Sequence, residues 1–133
     1  MINQQFELLK AQRVRKKAPP PTLTALSNGS FLIQVPDVEL GPGWNREKAN
    51  VLFVAPPGYP AAQPDCFWVE PSEFRLAGNG TPQASNDASP IPSDVDPGRR
   101  TTWFSWHLQT WDPNSSSLVT YLEVIMNRLK PAR

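Results

Sequence analysis

Sixteen prolines among 133 residues leave this chain few places for a helix. An interior proline removes a helical hydrogen bond and clashes with the preceding turn. The run of prolines from Pro19 to Pro113 therefore argues against long helices in the middle of the chain. Short extended segments and turns are expected there, with helices at the two ends.

Residues 2–16 read as the first helix. Ile2, Phe6, Leu9 and the stem of Arg13 fall on one stripe, with polar residues elsewhere. Pro19-Pro20-Pro21 stops it. Thr22–Leu26 and Gly29–Val35 read as strands around Ser27-Asn28-Gly29, a hairpin signal. After the turn Gly41–Asn45, the apolar run Ala49–Ala55 suits a central strand. Asp65–Glu70 is a fourth strand, and Glu73–Leu76 a short extended piece. Residues 77–98, rich in Gly, Asn, Ser, Asp and Pro, read as a long irregular, partly mobile loop. The closing helix is the clearest element. One of Ser115, Ser116 or Ser117 caps it, Leu118, Tyr121, Leu122, Ile125 and Leu129 form its apolar stripe, and Pro131 ends it. The expected class is α+β in a single domain over residues 1–133: a helix within residues 1–17, an antiparallel four-strand meander, the loop 77–98 and a C-terminal helix.

Charge and cysteine content narrow the function classes. A net charge of +1 with both signs interspersed gives no case for nucleic acid as a partner. The single cysteine, Cys66, excludes an internal disulfide framework and a metal site built from several thiolates. Without disulfides, signal-peptide order or a membrane-length apolar run, a soluble cytoplasmic protein with no membrane partner is expected.

Chemistry concentrates in the block Trp103–Pro113. It holds three of the five tryptophans and the only histidine, His107. Ser105 lies two residues before His107, and in extended chain such positions face the same side. A serine hydroxyl becomes a useful nucleophile only when a base takes its proton, and histidine is the side chain suited to that task near neutral pH. The pair reads either as nucleophile and base or as packed structural residues. Zinc on His107 is not expected, because no cysteine or histidine lies near it in the sequence.

The order of motifs resembles the ubiquitin-conjugating enzyme fold. Tyr59-Pro60, Pro64 and Trp111-x-Pro113 match its Tyr-Pro-x-x-x-Pro and Trp-x-Pro segments. Gly58-Tyr59-Pro60, Pro64-Asp65-x-Phe67, Trp103-x-x-Trp106, His107 and Trp111 resemble the divergent bacterial branch called prokaryotic ubiquitin-conjugating family E, over roughly residues 20–130. The resemblance implies framing roles for these residues: Tyr59 packs its ring and finds a hydroxyl partner, Trp111 plugs the base of the active-site loop, and Pro113 starts the last helix. In the standard family the catalytic cysteine lies eight residues before that tryptophan. Here Trp103 holds that register. Cys66 falls instead on the fourth strand, at a core apolar position on the same face as Trp68. The usual His-Pro-Asn motif is missing as well.

By the same resemblance, the chain accepts a ubiquitin-like modifier from a ThiF-related activating enzyme, with a deconjugating peptidase in the same pathway and no cofactor, ATP being spent upstream. Ser105 would carry the modifier as an oxyester, with His107 as base. Arg99 and Arg100 would contact the modifier, Asp94 or Asp96 would orient the imidazole or bind an acceptor lysine, and Arg13, Arg15, Lys16 and Lys17 would dock the activating enzyme. Cys66 remains an alternative nucleophile. The rival readings are a non-catalytic variant that binds or scaffolds modifier and activating enzyme, and a small hydrolase using Ser105 and His107, which lacks a visible acid partner.

Overall fold

The computed structural model describes residues 2–91, 99–108 and 110–133. The helix α1 (Ile2–Arg15) is followed by β1 (Thr22–Ala25), β2 (Phe31–Glu39), β3 (Lys48–Ala55), β4 (Phe67–Glu70), β5 (Ser85–Asn86), β6 (Thr102–Phe104) and α2 (Leu118–Leu129). The strands form one antiparallel sheet in the order β1-β2-β3-β4-β6-β5. This is an α+β architecture compatible with the ubiquitin-conjugating fold. No described helix is long and apolar enough to cross a membrane.

Period-two alternation sorts the strand residues onto two faces. Ile33, Val35, Val51, Phe53, Phe67, Val69 and Phe104 join Leu9 of α1 and Leu118, Tyr121, Leu122, Ile125 and Leu129 of α2 in the main core. Leu32, Leu52 and Trp68 face the other way, in a smaller cluster with Leu26 and Ile91. The helices thus cover one face of the sheet. Trimming the fully buried Ile125 to alanine costs about 2–5 kcal/mol, as large-to-small changes in a core do.

Both helices hold the stripes read from the sequence. In α1, Leu9 and Arg13 are buried and Ile2 and Phe6 pack at the core's margin. In α2, Ser117 is the N-cap and exchanges a capping box with Thr120. Pro113 does not start this helix. It sits in a separate turn, where the Asp112 carboxylate accepts bonds from the Asn114 N–H and the Ser115 hydroxyl.

Three strand expectations change. β2 runs four residues past Val35, with a register shift between Val35 and Val38 where Asp37 takes a φ of 50°. The meander continues into β6 and β5, so part of the aromatic block and part of the 77–98 loop belong to the sheet. The described part of that loop is anchored. Asp87 bonds with Arg75, the Thr102 hydroxyl and the Glu73 N–H, and the Trp68 indole donates to the Ser89 carbonyl. Finally, β4 starts at Phe67, so Cys66 lies before the strand.

Candidate active site

Antiparallel pairing of β4 with β6 brings the start of one strand beside the end of the other. Phe67 pairs with Phe104, Trp68 with Trp103 and Val69 with Thr102. Residues 65–66 and 105–107 therefore meet at one corner of the sheet. Continuing the register would set Cys66 against Ser105. Instead the Cys66 N–H donates to the carbonyl of Trp106, one residue further on, at 2.9 Å. Cys66 absorbs the slip with a φ of 60°, in the left-handed region that side chains with a Cβ rarely adopt. This turn takes it out of the strand's alternation with Trp68, although it is buried as expected.

The Cys66 sulfur sits among four neighbours. A carboxylate oxygen of Asp65 and a ring nitrogen of His107 lie within 4.8 Å of it, and the Trp106 N–H and the Ser105 hydroxyl are close enough to act on its electrostatics. Asp65 also lies 2.6 Å from Nδ1 of His107. Ser105 and His107 thus bear on adjacent residues: the serine lies by Cys66, and the histidine contacts the carboxylate beside it. Asp65 and His107 are exposed, whereas Cys66 is 8% exposed. Burial pushes the thiol pKa up, and the charge and hydrogen bond of Asp65 add to the rise. The Trp106 N–H and Ser105 act the other way by favouring a thiolate.

The supports of this corner are built from α2 and from the loop after β3. Tyr121 donates its hydroxyl to the Cys66 carbonyl at 2.7 Å. Arg128, 1% exposed, lies under the rings of Phe104 and Trp106 and donates to the carbonyls of Gln83 and Arg133. Burial brings its pKa down to about 10, helped by the charge of Arg133. The Trp111 indole donates to the Pro60 carbonyl at 2.8 Å and packs beside Tyr59. The Tyr59 hydroxyl bonds to Gln5, whose side chain also accepts from the Leu118 N–H. One residue of α1 thereby ties the Tyr59-Pro60 segment to the first turn of α2. Pro64 is buried just before the site.

Other residues singled out by the sequence lie elsewhere. Trp103 is mid-strand in β6, between Trp68 and Asn86, so the register of the standard cysteine is occupied by a sheet residue. Arg99 forms a paired contact with Glu70 at the opposite end of β4 from Cys66, and Arg100 is exposed beside it. Asp94 and Asp96 lie outside the described residues. Arg15 at the end of α1 and Lys16 and Lys17 in the turn after it are exposed, but Arg13 is buried and donates to the carbonyls of Pro36 and Asp37. It is a fastener between α1 and the β2 bulge, and burial lowers its pKa. A cleft of about 810 Å³ beside Lys16, Lys17, Asp37 and Lys130 is a groove between helix and sheet, apart from the Cys66 corner.

Sequence reading missed Asp65 as the partner of His107 and Cys66 as the partner of Ser105. The only available signal was that Asp65-Cys66 immediately precedes one strand and Ser105–His107 immediately follows another. Its meaning depends on which strands pair. The objection to a metal on His107 also changes, because a cysteine distant in sequence is adjacent in space.

A four-residue corner of thiol, carboxylate, imidazole and hydroxyl suits acyl transfer, and the frame around it matches a known family. The model of prokaryotic E2 family E matches residues 24–132. The chain belongs to this family. Membership supports a ubiquitin-conjugating-like role and, in general terms, interaction with a modifier and an activating enzyme. No curated protein and no solved structure matches the chain. In this member of family E, Tyr59, Trp111 and Gln5 tie the Tyr59-Pro60 segment to α1 and α2, and the chemistry-bearing atoms come from the β4 and β6 ends.

Proposed function

We propose that this protein is a carrier of the ubiquitin-conjugating superfamily that takes a ubiquitin-like modifier onto Cys66 as a thioester. The observation that carries this reading is the meeting of Cys66 with Asp65, Ser105 and His107 in a chain of family E. Sulfur is intrinsically the better nucleophile, so the role first read for Ser105 passes to its neighbour. Ser105 then acts as a donor to the sulfur.

In loading, the Cys66 sulfur attacks the modifier's C-terminal carbonyl, held as a thioester on the activating enzyme. The thiol proton leaves along its hydrogen bond to Asp65, which His107 supports from the other side. A new S–C bond forms, the old S–C bond breaks, and the activating enzyme's cysteine departs with a proton. In discharge, an acceptor amine attacks the same carbonyl, an N–C bond forms, and the Cys66 sulfur leaves and is reprotonated. The Trp106 N–H and Ser105 hydroxyl stabilise the departing thiolate. The exposed Leu8, Val14 and Arg15 of α1, with Lys16 and Lys17 in the turn that follows, serve as the docking surface for the activating enzyme.

The test is to incubate the full chain with its activating enzyme, modifier and ATP. The expected adduct is cleaved by thiol and disappears in Cys66→Ala. A second reading, an oxyester on Ser105, is favoured by the lower burial of that residue. It requires an adduct that resists thiol, yields to mild base and is lost in Ser105→Ala. Absence of any adduct favours the non-catalytic scaffold.

A further inference from the structure

The Cys66 corner also carries the donor set of a divalent-metal site. The sulfur of Cys66, a carboxylate oxygen of Asp65 and a ring nitrogen of His107 all lie within 4.8 Å of one another. A tetrahedral zinc ion with bonds of about 2.0–2.3 Å sets its ligand atoms about 3.3–3.8 Å apart. The cluster is close to that size, and the adjustment falls on two mobile groups. The side chains of His107 and Asp65 are 67% and 54% exposed, and their direct contact of 2.6 Å opens to admit an ion between them. Cys66 is the fixed point, held through its backbone by Trp106 and Tyr121.

The donor types decide which ion fits. Thiolate, imidazole and carboxylate together suit zinc and its spectroscopic stand-in cobalt, whereas magnesium and calcium prefer oxygen alone. Three protein ligands leave the fourth tetrahedral position for water or a substrate atom, as in catalytic rather than structural zinc sites. The surrounding donors fit as well. The Ser105 hydroxyl and the Trp106 N–H are near enough to favour a thiolate, as outer hydrogen bonds to a ligating sulfur do.

We propose that Asp65, Cys66 and His107 form a three-ligand Zn²⁺ site. On binding, the Cys66 S–H bond breaks, its proton passes to solvent, and a Zn–S bond forms without any redox change. The Asp65–His107 hydrogen bond is exchanged for one bond from each residue to the metal. Because coordination draws electron density from the sulfur and crowds it, an occupied site slows modifier loading. That consequence rests on the thioester reading above, while the metal site itself does not.

The experiment is titration of the reduced full-length chain with Co²⁺, followed by its sulfur-to-metal charge-transfer and d–d absorption. The expected result is saturation at one ion per chain, displacement by Zn²⁺, and loss of the charge-transfer band in Cys66→Ser. Asp65→Asn and His107→Gln, both at exposed side chains, are expected to weaken binding by at least about 100-fold, beyond the loss of an outer-shell partner. Far-UV circular dichroism checks each fold; if Cys66→Ser does not fold, the two exposed variants decide the matter. Absence of a charge-transfer band in the wild type, or an unchanged cobalt spectrum in His107→Gln, overturns the site. The titration uses neither modifier nor activating enzyme. A negative loading assay on the metal-free chain beside a positive cobalt spectrum therefore rejects the carrier reading alone, and the reverse result rejects the metal site alone.

Discussion

Nδ1 of His107 lies 2.6 Å from Oδ1 of Asp65, a residue 42 positions earlier in the chain. The contact exists because β4 and β6 run antiparallel, so the entrance of one strand faces the exit of the other. It gives the histidine a carboxylate partner adjacent to the sole cysteine. Asp65→Asn keeps the shape and removes the charge. In the loading assay it is expected to slow adduct formation on the order of tenfold to a thousandfold, the range of general acid–base effects. Unchanged loading in Asp65→Asn would remove Asp65 from the mechanism.

The raised pKa of Cys66 predicts a specific pH profile. Burial and the neighbouring Asp65 hold the thiol protonated above the ordinary cysteine range, near 8.5. Iodoacetamide alkylation of the native protein should therefore be slower at pH 7 than that of the urea-unfolded chain, and should still be climbing above about pH 8.5. Asp65→Asn should shift the profile to lower pH. A plateau in the wild-type rate below pH 8 is inconsistent with this environment.

Acid sensitivity is expected from the far end of the same strand. Hydrogen bonds from Arg99 lower the Glu70 pKa, against the opposing effect of burial. A depressed carboxylate pKa means that the folded state binds the proton less readily than the unfolded chain. Its stabilisation is present above the unfolded value, about 4.3, and is lost as pH falls through the lower folded value. Glu70→Gln should cost about 1 kcal/mol at pH 7, as expected for a partly exposed pair, and nothing at pH 2. Urea unfolding at the two pH values measures the difference.

The Trp111 indole contact with the Pro60 carbonyl predicts a modest structural cost. Trp111→Phe keeps most of the apolar contact with Tyr59 and deletes the donor. The expected loss is about 0.5–1.5 kcal/mol, the net worth of one hydrogen bond. Thermal unfolding would show it, and a larger loss would mean that the ring's volume matters more than its N–H.

The exposed apolar residues of α1 separate docking from folding. Leu8 and Val14 are 62% and 64% exposed. Replacing both with aspartate should shift stability by no more than about 0.5 kcal/mol each, as surface changes usually do. The same change should sharply reduce loading by the activating enzyme. Arg13→Ala is expected to do the opposite, weakening the fold through its lost bonds to the β2 bulge. If the aspartate variant loads normally, α1 is not the docking surface.

Local patterning made much of the scaffold readable. The stripes of α1 and α2, the Asn28-Gly29 turn and the apolar run of β3 each depend on residues close in sequence, so their periodicity survives as structure. The aromatic block was harder. Thr102–Phe104 is a three-residue strand, too short to declare a period, and its partners Phe67–Val69 are over thirty residues away. Ser85–Asn86 is shorter still and becomes a strand only because β6 is there to pair with it.

The same difference of range divides the site. The sequence alone determined its ingredients: one cysteine, one histidine, a serine two residues before it, and the tryptophan and proline frame of family E. Only the tertiary structure decided that Asp65 and Cys66 join them. A turn at one left-handed residue and a one-residue slip in the β4–β6 pairing moved Cys66 off the strand's alternation and set its sulfur beside Asp65 and His107. Side-chain chemistry is a property of each residue, but the proximity that makes a thiol, a carboxylate and an imidazole into one site is set by strand pairing, which no local pattern encodes.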